Sequence, residues 1–578
     1  LKVKLARSAG FCMGVRRAME MVLAEANRHE EVPLYTYGPL IHNTQVLDLL
    51  KAKKVQEVND IKGLKSGTVL IRAHGIPPEE RTILKESGLK IIDATCPRVA
   101  KVQAIIRRHA KKGYTTVIAG DRDHAEVIGL VGYAEGKAIV INSPEELSQV
   151  PDSEKICLVA QTTQNEELYE EIVKKVQERF PDAAIFNTIC EATSERQSEV
   201  KEIASQVDCM VVVGGYHSGN TKRLAQVSIE AGTPAYHIET EKEIKKEDFH
   251  DMEVVGVTAG ASTPNWMIKN VVKEIEGIKG RNETIIERWL NKAFKFLLLS
   301  NIMVALGAFA LSCAAAVLSG RRLHITYPFI AFFYIYAIHV IYRFLDKGAS
   351  TYNDPERAGF YKRHRIFLGL SSILSLFCAL ILAYSLGLKV FIIMSGLILL
   401  GIFYSIPIIP SGVRHISRYV KIKDIPGSKT LLEALAWAVV IALVPLLTEG
   451  MIKWSAVTVT FFVILAIAFI RIAFFDLFQV QGDLIVGVET LPITIGEKRT
   501  ISLLKWILIS AAALLVIAPI LKIVSPFSLL LLVCFMTIAL CVTAYVKRRI
   551  YPGTFLEALV EGNLFLAGLL SIIWLILS

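Results

Sequence analysis

One feature limits this chain more than any other: its character changes near the middle. Beyond Phe294, nine apolar runs long enough to cross a bilayer follow one another, at about 294–319, 327–345, 366–386, 390–409, 430–448, 455–475, 504–521, 526–546 and 555–577. So many runs in half of a chain leave too little polar surface for a soluble helical core. An all-α membrane domain of nine transmembrane helices is therefore expected there. Before about Lys279, charges recur every few residues, as in a soluble α/β protein. The positive mean hydropathy of +0.45 thus belongs to the second half. A chain of 578 residues is also too long for one core. We read 1–278 as a first domain, 279–293 as an amphipathic helical linker and 294–578 as the membrane domain.

The net charge of +10 suggests nucleic acid at first sight, but no recognition motif accompanies it and no such partner is expected. The cations sit where membrane topology puts them. Seventeen lysines and arginines fall in the loops after even-numbered runs or close to them, against five in the opposite loops. By the positive-inside rule the richer loops are cytoplasmic. The first domain falls on the same side, since the opening LKVKLARSAGFCMGV alternates like a strand and lacks the apolar core of a secretory signal. The expectation is a multi-pass protein of the cell inner membrane with its soluble domain in the cytoplasm.

Nine cysteines without a close pair do not make a disulfide framework. Three keep unusual company: Cys12 in AGFCMGV, Cys96 in IDATCPRV and Cys190 in NTICEAT, the last between Thr188 and Thr193. Each follows a β-rich stretch and precedes a helix start, which suggests three related αβ lobes, each presenting one thiol. Three converging thiolates suit an iron–sulfur cluster or zinc; unrelated core thiols are the alternative. Cys157 and Cys209 lie in apolar strands and read as core. His42, His74 and His124 follow β runs in polar turns, and we expect them at equivalent points of the three lobes. With Thr162, Thr163, Ser218, Asn220 and Ser262 they make a pocket rich in imidazole and hydroxyl groups, of the kind that holds a diphosphate.

The ordered run AGFCMGV, HN, RAHG, DATCP, HAEVIG, QTT, NTICEAT, HSGNT and GASTP resembles the 4-hydroxy-3-methylbut-2-enyl diphosphate reductase family across about residues 1–278. The resemblance implies a pseudo-threefold fold and one 4Fe-4S cluster on Cys12, Cys96 and Cys190. It implies diphosphate binding by His42, His74, His124, Ser218, Asn220 and Ser262, with Thr162 and Thr163 close by, and proton relay through Glu126 with His124 and Thr162. An external donor such as ferredoxin or flavodoxin would supply two electrons, and the products would be isopentenyl and dimethylallyl diphosphate. Gly219 stands where some members carry a second serine. A zinc-dependent hydrolase is the alternative of a different class.

In the membrane half, FFDLFQVQGDLIVGVETLPITIG places Asp476 and Asp483 seven residues apart in what reads as a loop, with Gly482, Gly487, Thr490 and Gly496 around them. Such a pair suits Mg²⁺ shared with a diphosphate, unless both are merely solvated charges. The runs and these motifs resemble the UbiA superfamily of intramembrane prenyltransferases. Its second motif, DxxDxxxD, keeps Asp476 and Asp483 with Gln479 between them, and TLP follows at 490–492. Its first motif keeps only Asp346, with Asp354 in NDPERAGFYKRH just downstream, and the segment YSIPIIPSGVRHISRYVKIKDIPGSK matches its basic run. The resemblance implies transfer of a prenyl group from a prenyl diphosphate with Mg²⁺. A catalytically altered domain, a plain anchor or a transporter are the alternatives.

Overall fold

Twelve short strands among the described residues build the first unit, and their sequences explain their places. They are β1 (Lys2–Leu5), β2 (Leu34–Tyr37), β3 (Val55–Val58), β4 (Thr68–Ile71), β5 (Lys90–Asp93), β6 (Thr115–Ala119), β7 (Ala138–Ile141), β8 (Ile156–Ala160), β9 (Ala184–Phe186), β10 (Cys209–Val213), β11 (Ala235–Ile238) and β12 (Val254–Ala259). The structure, a computed structural model, describes residues 1–28, 32–61, 63–64, 66–152, 155–345, 348–405, 427–448, 452–547, 549–550 and 553–577. It divides into two compact units, Leu1–Glu283 and Thr284–Ser578.

The strands form three four-stranded sheets in the orders β1-β12-β10-β11, β3-β2-β4-β5 and β7-β6-β8-β9, every neighbouring pair parallel. Central strands such as CMVVV, TVLI, TTVIA and ICLVA are continuously apolar or β-branched and buried throughout, as parallel strands covered on both faces must be. The edge strands KVKL and KIID carry lysine or aspartate and stay half-exposed. The first sheet is discontinuous in sequence, joining the chain's opening strand to residues beyond Cys209.

The second unit is helical and marks a multi-pass membrane protein. Among the described residues, seven helices are long and apolar enough to span a bilayer: Thr326–Leu345, Arg365–Ser385, Ser428–Thr448, Trp454–Val486, Glu497–Ile520, Phe527–Val546 and Thr554–Leu577. Ile285–Leu299 and Ile302–Leu318 would together make an eighth, but they bend by 72° at their junction. The fourth predicted run is a shorter apolar helix, Leu388–Ser405. Nine full spans are therefore not what is seen among the described residues; seven to eight are. Small residues let helices close: a Cβ on Gly568 would lie 2.6 Å from Ala310, so the helices Ile302–Leu318 and Thr554–Leu577 approach closely there. Ile366, Leu370, Leu374, Ile381, Met536 and Leu540 face outward, as lipid-facing side chains do.

Two expectations change here. The sixth run does not stop at residue 475; its helix continues to Val486, so Asp476 and Asp483 lie within a helix and not in a loop. Arg471, counted above among the loop cations, is buried inside that helix and bonds Glu561 at 2.9 Å through Nε.

Candidate functional site

In all three sheets of the first unit, the candidate side chains follow the carboxyl ends of the strands, where parallel sheets commonly place their ligands. Each sheet contributes in the same way. One cysteine follows an edge strand: Cys12 after β1, Cys96 after β5 and Cys190 after β9. The polar groups follow the two central strands. His42 and His74 come after β2 and β4, His124 with Glu126 and Thr162 after β6 and β8, and Ser218 with Asn220 and Ser262 after β10 and β12. The histidines are therefore not equivalent points of three lobes. Two belong to one sheet and one to another, and the first sheet offers hydroxyls and an amide instead.

The thiols meet at helix N-termini. Cys12 directly precedes the helix Met13–Arg28, and Cys96 and Cys190 cap Pro97–Ala110 and Glu191–Ala204. Backbone N–H groups there favour a thiolate; Val15 N lies 3.5 Å from Cys12 Sγ, and the amides of Arg98 and Val99 face the Cys96 sulfur. Burial nonetheless pushes the Cys96 thiol up, with Cys12 and Cys190 near enough to add to the shift. Gly14 is where two of the loops touch: a Cβ would lie 2.6 Å from Cys96 Sγ and 3.9 Å from Cys12 Sγ. Three half-buried, unbridged thiols aimed together by helix ends fit a cluster ligand set. Cys157 and Cys209 are different, buried in strands with thiols pushed up to about 12.

Three arginines that sequence reasoning missed tie these loops in a ring. Arg17, on the helix that Cys12 precedes, donates to the carbonyls of Thr95 (3.1 Å) and Asp93 (3.4 Å), beside Cys96. Arg98, on the helix that Cys96 caps, pairs with Glu191 beside Cys190. Arg196, on the helix that Cys190 caps, donates to the carbonyls of Ser8 (2.8 Å) and Gly10, ahead of Cys12. Nothing local in the sequence marks these arginines, because an arginine on a helix ordinarily reads as solvated.

The imidazoles of His42, His74 and His124 pack with ring centroids 4.8–5.4 Å apart, and one ring nitrogen from each lies within 4.8 Å of the others. Burial lowers all three from their ordinary value, His74 strongly and His124 to about 4. His124 caps the helix Ala125–Val131, its Nδ1 accepting from Glu126 N at 3.1 Å, so the neutral ring carries its proton on Nε2. Among the described residues, His42 Nε2, His74 Nδ1 and Asn220 Nδ2 are buried without a hydrogen-bond partner, a donor set suited to an anion. Ser262 Oγ donates to His42 O at 3.1 Å, and Ser218 caps the helix Gly219–Glu230. Thr163 holds the adjoining turn, its carbonyl accepting from Arg223 at 3.1 Å. Glu126 is 2% exposed and accepts from Thr162 twice, from N at 2.8 Å and from Oγ1 at 2.7 Å. Burial raises its carboxyl while those two bonds oppose the shift.

In the second unit, Asp476 and Asp483 stand two helical turns apart on one helix face, both buried. Asp476 accepts from Lys429 Nζ at 3.0 Å and Thr430 Oγ1 at 2.9 Å; Asp483 Oδ1 accepts from Asn353 Nδ2 at 2.7 Å. Asn353 reaches so close that a Cβ on Gly482 would lie 2.2 Å from its oxygen. Asp354 is spent differently, capping the helix Pro355–Arg363 through Arg357 N at 3.0 Å and pairing with Arg357. Asp346 lies outside the described residues, as does most of the basic segment after Tyr404. The described carboxylates do not close a cage around an ion. They fit only the open arrangement in which Mg²⁺ is shared with a diphosphate.

Comparison with known proteins places both units. A family model described as LytB protein matches residues 3–276, and the UbiA prenyltransferase family matches 362–568. The 4-hydroxy-3-methylbut-2-enyl diphosphate reductase of Geobacter sulfurreducens is 45% identical over 276 residues, 48% of this chain and 97% of that protein. A solved (E)-4-hydroxy-3-methyl-but-2-enyl diphosphate reductase is 42% identical, covering 48% of this chain and 100% of its own, with a TM-score of 0.39. A UbiA homolog from Archaeoglobus fulgidus, bound to GPP and Mg²⁺, is 15% identical over 48% of this chain and 99% of its own, with a TM-score of 0.36. The chain belongs to the 4-hydroxy-3-methylbut-2-enyl diphosphate reductase family through its first unit and carries a UbiA prenyltransferase family domain in its second.

Proposed function

We propose that the first unit reduces 4-hydroxy-3-methylbut-2-enyl diphosphate with two electrons and two protons, releasing water and isopentenyl or dimethylallyl diphosphate. The observation that carries this reading is the pairing of three converging thiols with a buried set of neutral imidazoles and amides. Cys12, Cys96 and Cys190 would hold a 4Fe-4S cluster, which when bound supplies electrons and a Lewis-acid centre. His42, His74, His124, Ser218, Asn220 and Ser262 bind the diphosphate, with Thr162 and Thr163 shaping the adjoining turn. Burial keeps the imidazoles neutral until the anion arrives, and the anion then draws protons onto them. Glu126, whose burial favours the protonated carboxyl, is placed to hold a proton between His124 and Thr162 and to give it to the leaving oxygen or the allylic carbon. The three sheets with their edge cysteines support a pseudo-threefold arrangement of lobes.

For the second unit we propose prenyl transfer from a prenyl diphosphate. Asp483 is the leading carboxylate for Mg²⁺, and Asp476 holds Lys429 toward the diphosphate oxygens. The same ion pair also favours the anchor reading, since a neutralised Asp476 is a poor metal ligand. The nine predicted runs would then include a short first span, Ile302–Leu318, and a short fourth one. In this reading 279–293 joins a reductase domain (1–278), on the cytoplasmic face of an inner membrane, to a membrane domain (294–578), and a ferredoxin or flavodoxin supplies electrons. The test is an anaerobic assay of the whole chain with each diphosphate, lipid products identified by mass. Mg²⁺-dependent diphosphate release that is lost in Asp483→Asn establishes transfer; release absent from the wild type establishes the anchor.

A further inference from the structure

The helix Ile285–Leu299 opens the second unit with a capping box, the Thr284 and Glu287 side chains each accepting from the other's backbone N–H. Its side chains divide at the helical period. Ile285, Ile286, Trp289, Leu290, Phe294 and Leu297 share one half of the circumference and all are exposed, Ile285 by 86% and Trp289 by 67%. Glu287, Arg288, Asn291, Lys292 and Lys295 occupy the other half.

The helix is held at its C-terminal end. Lys295 lies 3.6 Å from Glu356, Phe296 packs edge-on against Phe360 at 5.6 Å, and Arg357 donates to the Leu298 carbonyl at 3.4 Å. The 72° bend that follows is built in: Asn301 takes a left-handed φ of 64°, and its buried amide donates to Tyr361 Oη at 2.7 Å. A helix fixed at that angle to a spanning helix cannot itself cross the bilayer; it runs nearer the membrane plane. Phe296 sits at the border of the apolar half, and the stripe ahead of it, from Ile285 to Leu290, is left exposed.

Two features select the occupant of the stripe. Arg288, Lys292 and Lys295 oppose the single carboxylate of Glu287 on the polar half, and Lys279 and Arg281 outnumber Glu283 just upstream. Trp289 sits in the apolar half, an amphipathic ring of the kind enriched at headgroup depth. We propose that Ile285–Leu299 is an interfacial helix lying on an anionic membrane surface, its apolar stripe at the boundary of headgroups and acyl chains, with Arg288 and Lys292 among the lipid phosphates. The proposal rests on the membrane-spanning reading of Ile302–Leu318 and on neither enzymatic activity.

The test uses the full chain, prepared anaerobically in nanodiscs of phosphatidylcholine with phosphatidylglycerol. Trp289→Phe isolates the emission of that ring by difference. Bromine near the headgroup end of the acyl chains should extinguish the difference signal, bromine at mid-chain should do so less, and aqueous acrylamide should leave it largely intact. In discs of phosphatidylcholine alone the bromine quenching should weaken. A second variant, Ile286→Glu with Leu290→Glu, keeps the cap and cations and should open Trp289 to acrylamide. A difference signal blind to both bromolipids overturns the proposal. Acrylamide sensitivity would then show that water covers the stripe, and protection would show that protein does. Equal quenching in both lipid compositions overturns the anionic preference.

Discussion

Glu126 is held by three contacts that pull in different directions. Its backbone N–H donates to His124, while its carboxylate accepts two bonds from Thr162 at near-complete burial. Glu126→Gln preserves the shape and removes the exchangeable proton. We expect unchanged iron content with turnover lower by about a hundredfold or more, the usual reach of a positioned acid. Near wild-type turnover would leave Glu126 the lesser task of orienting His124. His124 yields a pH prediction. Its folded value, about 4, lies below the ordinary 6.5, so the unfolded chain takes up the proton first as pH falls. The contribution of His124 to stability is full above 6.5 and is lost between 6.5 and about 4. His124→Asn keeps a capping side chain and removes the titration. The thermal transition of the first unit, followed by calorimetry, should therefore fall less steeply with acid in the variant.

Among the elements, the arginine ring predicts what the cysteines alone do not. Arg196→Met strands two carbonyls in the loop ahead of Cys12, at a cost of about 1.5–3 kcal/mol for each charged bond lost. Iron per chain and the cluster absorbance should both drop, with partial recovery in Arg196→Lys; full iron retention would reduce Arg196 to a packing residue. The three cysteine loops were legible in sequence because a thiol amid polar residues at a strand end is unusual. Their pairing into sheets was not, since β1 finds β12 across some 250 residues and nothing local records that register. The sixth membrane helix was misread for a related reason. Asp476 and Asp483 end a hydropathy run without ending a helix, because their partners Lys429, Thr430 and Asn353 come from distant segments. The histidines were found one by one, but their distribution over the sheets depended on strand order.

For the molecule as a whole, the two units carry chemistry on related small diphosphates in the reading proposed here, and the link between them is short. Severing the chain between Gly280 and Thr284 and co-producing the halves should leave each saturating rate unchanged. Prenylated lipid should fall only when the five-carbon diphosphate is limiting. Equal lipid yield at low substrate would remove any advantage of proximity.

The discontinuous first sheet also fixes an order of events during synthesis. β1 cannot be paired until β12 has left the ribosome, so the Cys12 loop, bonded to Ala261 O at 3.2 Å, is the last of the three thiol loops to be set although it is made first. The three thiol loops are all in place only when the whole first unit has emerged. At about 5–20 residues per second, the remaining chain then takes roughly a quarter of a minute to a minute to appear. If the three cysteines hold iron as proposed, iron delivery and membrane insertion share one interval on the ribosome, and a cell short of iron would release a chain already inserted but still without its metal.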